Sequence, residues 1–263
     1  MRTRLVFGFL VIASSPATAD VCADLIAASA KLKGGTPLVA TAVNTPYKKL
    51  YDDCDSNNRF AGRSLPTHNG KGLTCSGDPN RVAALTKYPD GTIAFNAKGS
   101  VDADGSRFAC GDGWPNQCGT WLTFDQGSQR HDVNAEDTPF VVVPIKMQST
   151  GISFQDDTGI RRGDIAVAYT NGKCTFGVVG DAGPYFRLGE LSLKAHAELG
   201  HPRCKVPGQY PCTAIRDSSI PKNVNYLIFP GTRPAPLTSQ NVNEVSRTSG
   251  RKLVAEFLAR FAQ

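Results

Sequence analysis

The rhythm of hydrophobic and polar positions changes several times along the chain. Residues 1–19 begin with Arg2 and Arg4, run through an apolar stretch from Leu5 to Ala13 and end in Ala17-Thr18-Ala19. A basic start, a short apolar run and a small-residue site form the pattern of an export signal, so residues 1–19 are expected to be removed. The apolar run is about nine residues, too short to span a bilayer. No later run reaches that length, and the expected mature protein is soluble and exported, either extracellular or periplasmic.

After the signal, 21–33 (VCADLIAASAKLK) carries helix formers and stops at Gly34-Gly35, predicting a helix. Residues 44–80 are rich in Asn, Asp, Gly, Pro and Ser and read as loops. Short runs rich in Val, Ile, Phe and Tyr predict strands at 92–96, 140–147, 165–170, 174–179 and 226–229. Asn171-Gly172 separates the third run from the fourth and is the dipeptide favoured in a two-residue type I′ hairpin. At 251–262, Leu253, Phe257, Leu258 and Phe261 fall on one helical face, as core packing requires. The pattern predicts a mainly β protein with flanking helices, of the α+β class. With no repeat and no linker-like segment, 20–263 is expected to be a single domain.

Composition sharpens this picture in three places. The eight cysteines, at positions 22, 54, 75, 110, 118, 174, 204 and 212, all follow the signal. An even set in an exported chain predicts four disulfides. Only two pairings suggest themselves from spacing, Cys110–Cys118 and Cys204–Cys212. Thiolate metal binding would need CxxC spacings that are absent. The four histidines (His68, His131, His196, His201) form no HExxH or related array, so no metal and no cofactor is expected.

Charge is uneven. Residues 102–137 hold seven acids against Arg107 and Arg130, a balance of −5, whereas 194–263 carries ten Lys/Arg against four acids. The basic tail lacks interleaved aromatic platforms, so a solvated face is expected and not a nucleic-acid or membrane partner.

The stretch 163–193 (GDIAVAYTNGKCTFGVVGDAGPYFRLGELSL) concentrates the candidate chemistry. A hairpin delivers a strand ending at Gly180-Asp181-Ala182-Gly183-Pro184, placing a carboxylate at the strand's open end between glycines that allow close backbone approach. Nine residues on, Glu190 stands where a loop enters the LSLKAHAEL segment, predicted helical. Two carboxylates flanking a cleft are what glycosidic hydrolysis requires, one as acid and one as base or nucleophile. The plainer reading is a turn aspartate capping local amides and a glutamate near a helix N-terminus.

This segment resembles the signature of glycoside hydrolase family 75, the fungal-type chitosanases. Those enzymes read as strand, Asn-Gly, strand, a Gly-Asp turn and a Gly-Glu nine residues after the aspartate. Asp102-Ala103-Asp104-Gly105 and Asn225–Phe229 resemble two further family segments. The likeness covers roughly 90–232 and is specific at 163–193. It implies a double-psi β-barrel-like core, with Asp181 and Glu190 as the catalytic pair of an inverting chitosanase. By analogy with the acid-bearing turn of family 45 cellulases, expansins and some lytic transglycosylases, which Gly-Asp-x-Gly-Pro also resembles, Asp181 would be the general acid. That likeness leaves two alternatives: a peptidoglycan-cleaving barrel enzyme, or a non-catalytic expansin-like polysaccharide-binding protein. Arg187 departs from the small polar residues of the family's loop and places a cation beside a site for a polycation.

Asp102 and Asp104 are the expected substrate-binding acids, contacting amino groups of a chitosan chain. An EF-hand starting at Asp102 is ruled out, since its sixth and twelfth places hold Arg107 and Gly113. Trp114 and Trp121 are candidates either for stacking on sugar rings or for burial beside a disulfide. His196 and His201 read as helix-end residues. Ser192 lies outside any GxSxG elbow, which removes support for a serine hydrolase. The protein is expected to act as a monomer on a polysaccharide.

Overall fold

The computed structural model describes residues 20–68, 70–111, 118–126, 129–206, 208–209, 211–216 and 219–262. The expected signal at 1–19 and Trp114 lie outside the described residues. Eight strands make the main sheet: β1 (Thr36–Pro37), β2 (Ala84–Lys87), β3 (Ile93–Asp102), β4 (Phe140–Pro144), β5 (Ile165–Thr170), β6 (Lys173–Gly183), β7 (Glu190–Ser192) and β8 (Ile220–Phe229). Their order is β1-β2-β3-β7-β4-β6-β5-β8, and β8 pairs back onto β3. That last pairing closes six strands into a barrel, so the molecule is mainly β with a barrel core, the class expected from the sequence. Two pairings within it are parallel, β4 with β6 and β7 with β3.

The helices are α1 (Val21–Ala28), α2 (Tyr47–Asn57), α3 (Arg107–Cys110), α4 (Phe154–Thr158), α5 (Leu193–Glu198) and α6 (Val242–Phe261). Alternate residues of the barrel strands divide between two apolar clusters. One joins Phe95, Val141, Val143, Val179, Leu191 and Ile228 to the buried face of α2. The other places Ile165, Val167, Phe176, Val178 and Phe229 beneath α6 and α1.

Several elements differ from the sequence reading. The β5–β6 hairpin turns at Asn171-Gly172 with φ of 47° and 78°, as a type I′ turn requires. Strands β3, β6 and β8 run longer than their apolar runs, whereas the predicted strand at 140–147 stops at Pro144. Residues 44–80 are not all loop. Tyr47, Leu50, Tyr51 and Cys54 recur at helical spacing and form the buried face of α2, which the polar residues between them obscure. Helix α6 starts well before 251; Ser246 and Gly250 on its buried face are small where it crosses the ring of Phe176, so no apolar stripe marks that half.

All eight cysteines are paired. The two local bridges form as expected, and Cys22–Cys174 and Cys54–Cys75 complete the set. The first of these ties α1 to β6, and the second ties α2 to the loop that precedes β2. Each closes chain entropy in the unfolded state, a contribution of about 2–4 kcal/mol. Four disulfides fit an oxidising compartment. Among the described residues no helix is long and apolar enough to cross a membrane.

Gly189 sets the entry to β7. Its φ is +85°, and a Cβ there would stand 2.4 Å from the carbonyl oxygen of Lys98. That carbonyl cannot retreat freely, since it accepts the Tyr226 hydroxyl at 2.7 Å. Gly189→Ala is therefore expected to destabilise the protein by about 2–4 kcal/mol through backbone strain and overlap. Urea denaturation measures this, and a loss below about 0.5 kcal/mol would mean that the position relaxes.

Candidate active site

Strand register gathers the acids. Val142 of β4 is paired with Asp181 of β6 on one side and with Glu190 of β7 on the other. Glu190 is in turn paired with Ser100 of β3. Directly paired residues share a face of the sheet, so Ser100, Glu190, Val142 and Asp181 form one row across four strands. Asp102 lies two residues beyond Ser100 on that face. Asp104 follows in the turn, where its amide donates to Asp102 Oδ1 at 2.7 Å.

These residues line a cavity of about 340 Å³ together with Asp78, Arg187, Gly183 and Ser219. The structure thus brings all four sequence-predicted site residues, Asp181, Glu190, Asp102 and Asp104, to one place.

β6 ends within the expected turn, at Gly183, with a register shift where β4 passes from Val141 to Val142. Glu190, by contrast, does not open a helix. It begins β7, and α5 starts at Leu193 with Ser192 as its N-cap. The glycines around Asp181 serve internal packing. Gly180 lies under the ring of Phe140, and a Cβ on Gly183 would stand 2.8 Å from Glu190 Oε2.

The two carboxylates have contrasting surroundings. Asp181 is buried, and its Oδ1 accepts the Trp121 amide at 2.8 Å. Burial pushes its carboxyl upward, while donation from the Ala182 and Trp121 amides and from Asp104 pulls it back. Glu190 is half-buried, and its carboxylate accepts no hydrogen bond among the described residues. Burial raises its carboxyl, opposed only by the more distant charges of Lys98 and Arg187.

Oxygens of Asp102, Asp104 and Asp181 all lie within 4.8 Å of one another, close enough to hold a cation. Left without one, three acids at this spacing cannot all ionise. Burial, then Asp181, pushes the Asp104 carboxyl up to about 8. Asp102 is likewise raised well above the carboxylate range by burial, Asp104 and Asp181.

The sequence reading passed over the opposite wall. Asp78 Oδ2 receives the Lys98 ammonium, Arg187 Nη1 at 2.9 Å and the Ser100 hydroxyl at 2.9 Å. Lys98 is fully buried. Asp78 sits in a loop with no flanking motif, so only the buried lysine it neutralises gives it away, and that burial is invisible in sequence. Arg187 is therefore a fixed, paired cation and not one projecting freely into the cleft.

Trp121 contributes its backbone amide, while its side chain packs half-buried against the barrel. His196 is buried in α5, its Nε2 3.0 Å from the Ser100 carbonyl, and burial lowers its imidazole to about 3. Neutral and enclosed, it supports the strand and does not reach the cavity.

Because the folded protein retains a proton on Asp104 that the unfolded chain releases above about pH 4, stability should fall as pH rises from about 4 to about 8. Thermal melts at pH 5 and pH 8 check this. The loss in Tm should be smaller in Asp104→Asn than in the wild type, and equal losses would exclude a proton held there.

Comparison with known proteins adds no relative: no family model matches the chain, and no curated protein matches it.

Proposed function

We propose that this protein is a secreted glycoside hydrolase that cuts β-1,4 bonds of chitosan with inversion. The observation that carries the reading is the strand register that sets Asp181 and Glu190 on either side of Val142 at the floor of an acidic cavity. Two strand spacings put their Cα atoms about 10 Å apart. Inverting enzymes hold their carboxyl groups about 6.5–9.5 Å apart, leaving room for a water on one side of the sugar.

The contrast in surroundings supports a division of labour. Glu190, desolvated and without a hydrogen-bond donor, suits the general acid that protonates the leaving oxygen. Asp181, whose ionised form is stabilised by amide donors, suits the base that takes a proton from the attacking water. This reverses the roles implied by the barrel-turn analogy.

The cluster of Asp102, Asp104 and Asp181 supports an amino sugar as substrate. An ammonium offers three donors, and three acceptors about 2.8 Å away at tetrahedral angles lie about 4.6 Å apart. The cluster's oxygens lie within 4.8 Å of one another, inside the reach of one ammonium, and an entering ammonium supplies the positive charge that lets its acids ionise.

A reducing-end assay on chitosan, chitin, cellulose and peptidoglycan tests the reading. Chitosan should be cut, and Asp181→Asn and Glu190→Gln should each lower kcat by about 10²-fold or more with folding intact. A variant that keeps more than about a tenth of the activity removes its residue from catalysis. Cutting of peptidoglycan alone would select the barrel hydrolase of cell walls. Polysaccharide binding without new reducing ends would select a binding protein.

The double variant Asp102→Asn/Asp104→Asn should raise KM for chitosan more than it lowers kcat, as expected when uniform binding is lost. Unchanged KM would return both residues to a structural turn.

A further inference from the structure

The cavity does not end at the acid cluster. A second hollow of about 560 Å³, lined by Asp78, Pro79, Arg81, Arg187, Ser219 and Pro221 among others, shares Asp78, Arg187 and Ser219 with the first. Together they make one groove with opposite charge at its two ends. At the far end the Asp78 carboxylate is already engaged by both Lys98 and Arg187. Arg81 adds a third cation, and its guanidinium makes no ion pair among the described residues.

This wall is held in place. Asp55 at the end of α2 accepts the backbone amides of Asn80 and Arg81 at 2.8 Å each. Buried Asn80 in turn accepts the Leu188 amide at 2.8 Å, fixing the segment next to Arg187. Arg187 is clamped by the carbonyl and carboxylate of Asp78. The two arginines are therefore presented by rigid backbone, and neither depends on the Arg81 side chain for its position.

Resting on the chitosan reading above, we propose that the groove is selective along its length. A sugar with a free ammonium binds at the Asp102–Asp104–Asp181 end, and an N-acetylated sugar binds at the Arg81–Arg187 end. Lys98 and Arg187 together outweigh the Asp78 carboxylate, and the Arg81 guanidinium adds to this positive end, which repels an ammonium and offers Arg81 as a donor to an amide carbonyl, so the second position discriminates against deacetylated units. Arg81 is the specificity-determining residue that can be changed without disturbing the Asp78 network.

The test is digestion of partially N-acetylated chitosan, with the sugars at both new ends identified by mass spectrometry. The sugars on one side of the cut should be nearly all glucosamine, and those on the other enriched in N-acetylglucosamine. Arg81→Glu, at an exposed side chain, should reduce that enrichment and raise relative kcat/KM on fully deacetylated polymer by about threefold to tenfold, the scale of one or two screened charges about 6 Å away.

Equal composition at both ends, or an unchanged pattern in Arg81→Glu, overturns this inference and leaves the chitosan reading standing. Failure to cut any chitosan overturns the reading on which it rests. Cutting only of a glycan whose alternate sugars carry carboxylates overturns the N-acetyl assignment in favour of an anion at the arginine end.

Discussion

The site depends on the placement of β4. This strand is buried along its whole length and is bonded on one side to β6, in parallel, and on the other to β7, antiparallel. Its two neighbours reach it by different routes along the chain, β6 through a hairpin with β5 and β7 through the Gly183–Gly189 turn. Only the shared pairing with β4 brings Asp181 and Glu190 into one row. Because side chains alternate with a period of two, a slip of one residue in either pairing would send one acid to the opposite face. The register shift between Val141 and Val142 works the same way, restoring Asp181 to the side occupied by Glu190. Barrel closure through β3 and β8 then holds both distances, because a closed sheet has no edge along which a strand can slide.

Gathering four carboxyl groups on one half-buried face opposes folding, and the surroundings reveal how the cost is distributed. Asp181 receives amide donors, while burial and neighbouring acids push the Asp102 and Asp104 carboxyls upward. Asp78, on the opposite wall, is compensated by Lys98 and Arg187, which lower its carboxyl against the effect of burial. Burying Lys98 without Asp78 would leave an unpaired charge, a change that typically costs about 3–5 kcal/mol. The apolar clusters on both sides of the barrel and four disulfides supply stability away from the cavity. This separation lets the site remain electrostatically strained while the scaffold stays rigid, the arrangement that the proposed catalytic role would need.

What the sequence disclosed follows from the range of the interactions involved. The Asn171-Gly172 hairpin, the fully buried β5 and the two short disulfide loops are local and were legible. Asp181 and Glu190 stood out from their glycine-rich turn and spacing, but only a family likeness set them apart from turn and cap residues, and Asp102 and Asp104 rested on that likeness and on the acidic balance of their segment. Helix α2 had a legible stripe at 47, 50, 51 and 54, hidden by the Asp and Asn residues between. Asp78 could not have been found in this way. Its role depends on Lys98 being buried and on Arg187 reaching it from more than a hundred residues away, facts that belong to the tertiary structure. The uncapped start of β7 was misread for a related reason. Glycine before glutamate before an apolar run resembles a helix entry until pairing with β3 and β4 claims three residues for the sheet.

The overall charge of the chain, +6, would oppose the approach of the cationic polymer proposed as its substrate. Distance resolves this. At physiological salt, fields between exposed charges fade over about 8 Å, so the arginines and lysines along α6 act mainly on their own neighbourhood. Within the groove, groups face one another across a few ångströms of partly desolvated space, where Coulomb terms are larger and less screened. The acids of the cluster are not drawn from the −5 segment at large. Among its described acids only Asp102 and Asp104 line the cavity, and Asp78 comes from outside it. Under the proposed function, local arrangement and not net charge would therefore determine which sugar is held where. A protein with a positive surface can present a negative floor beside Asp181 and a positive wall at Arg187 within one continuous groove.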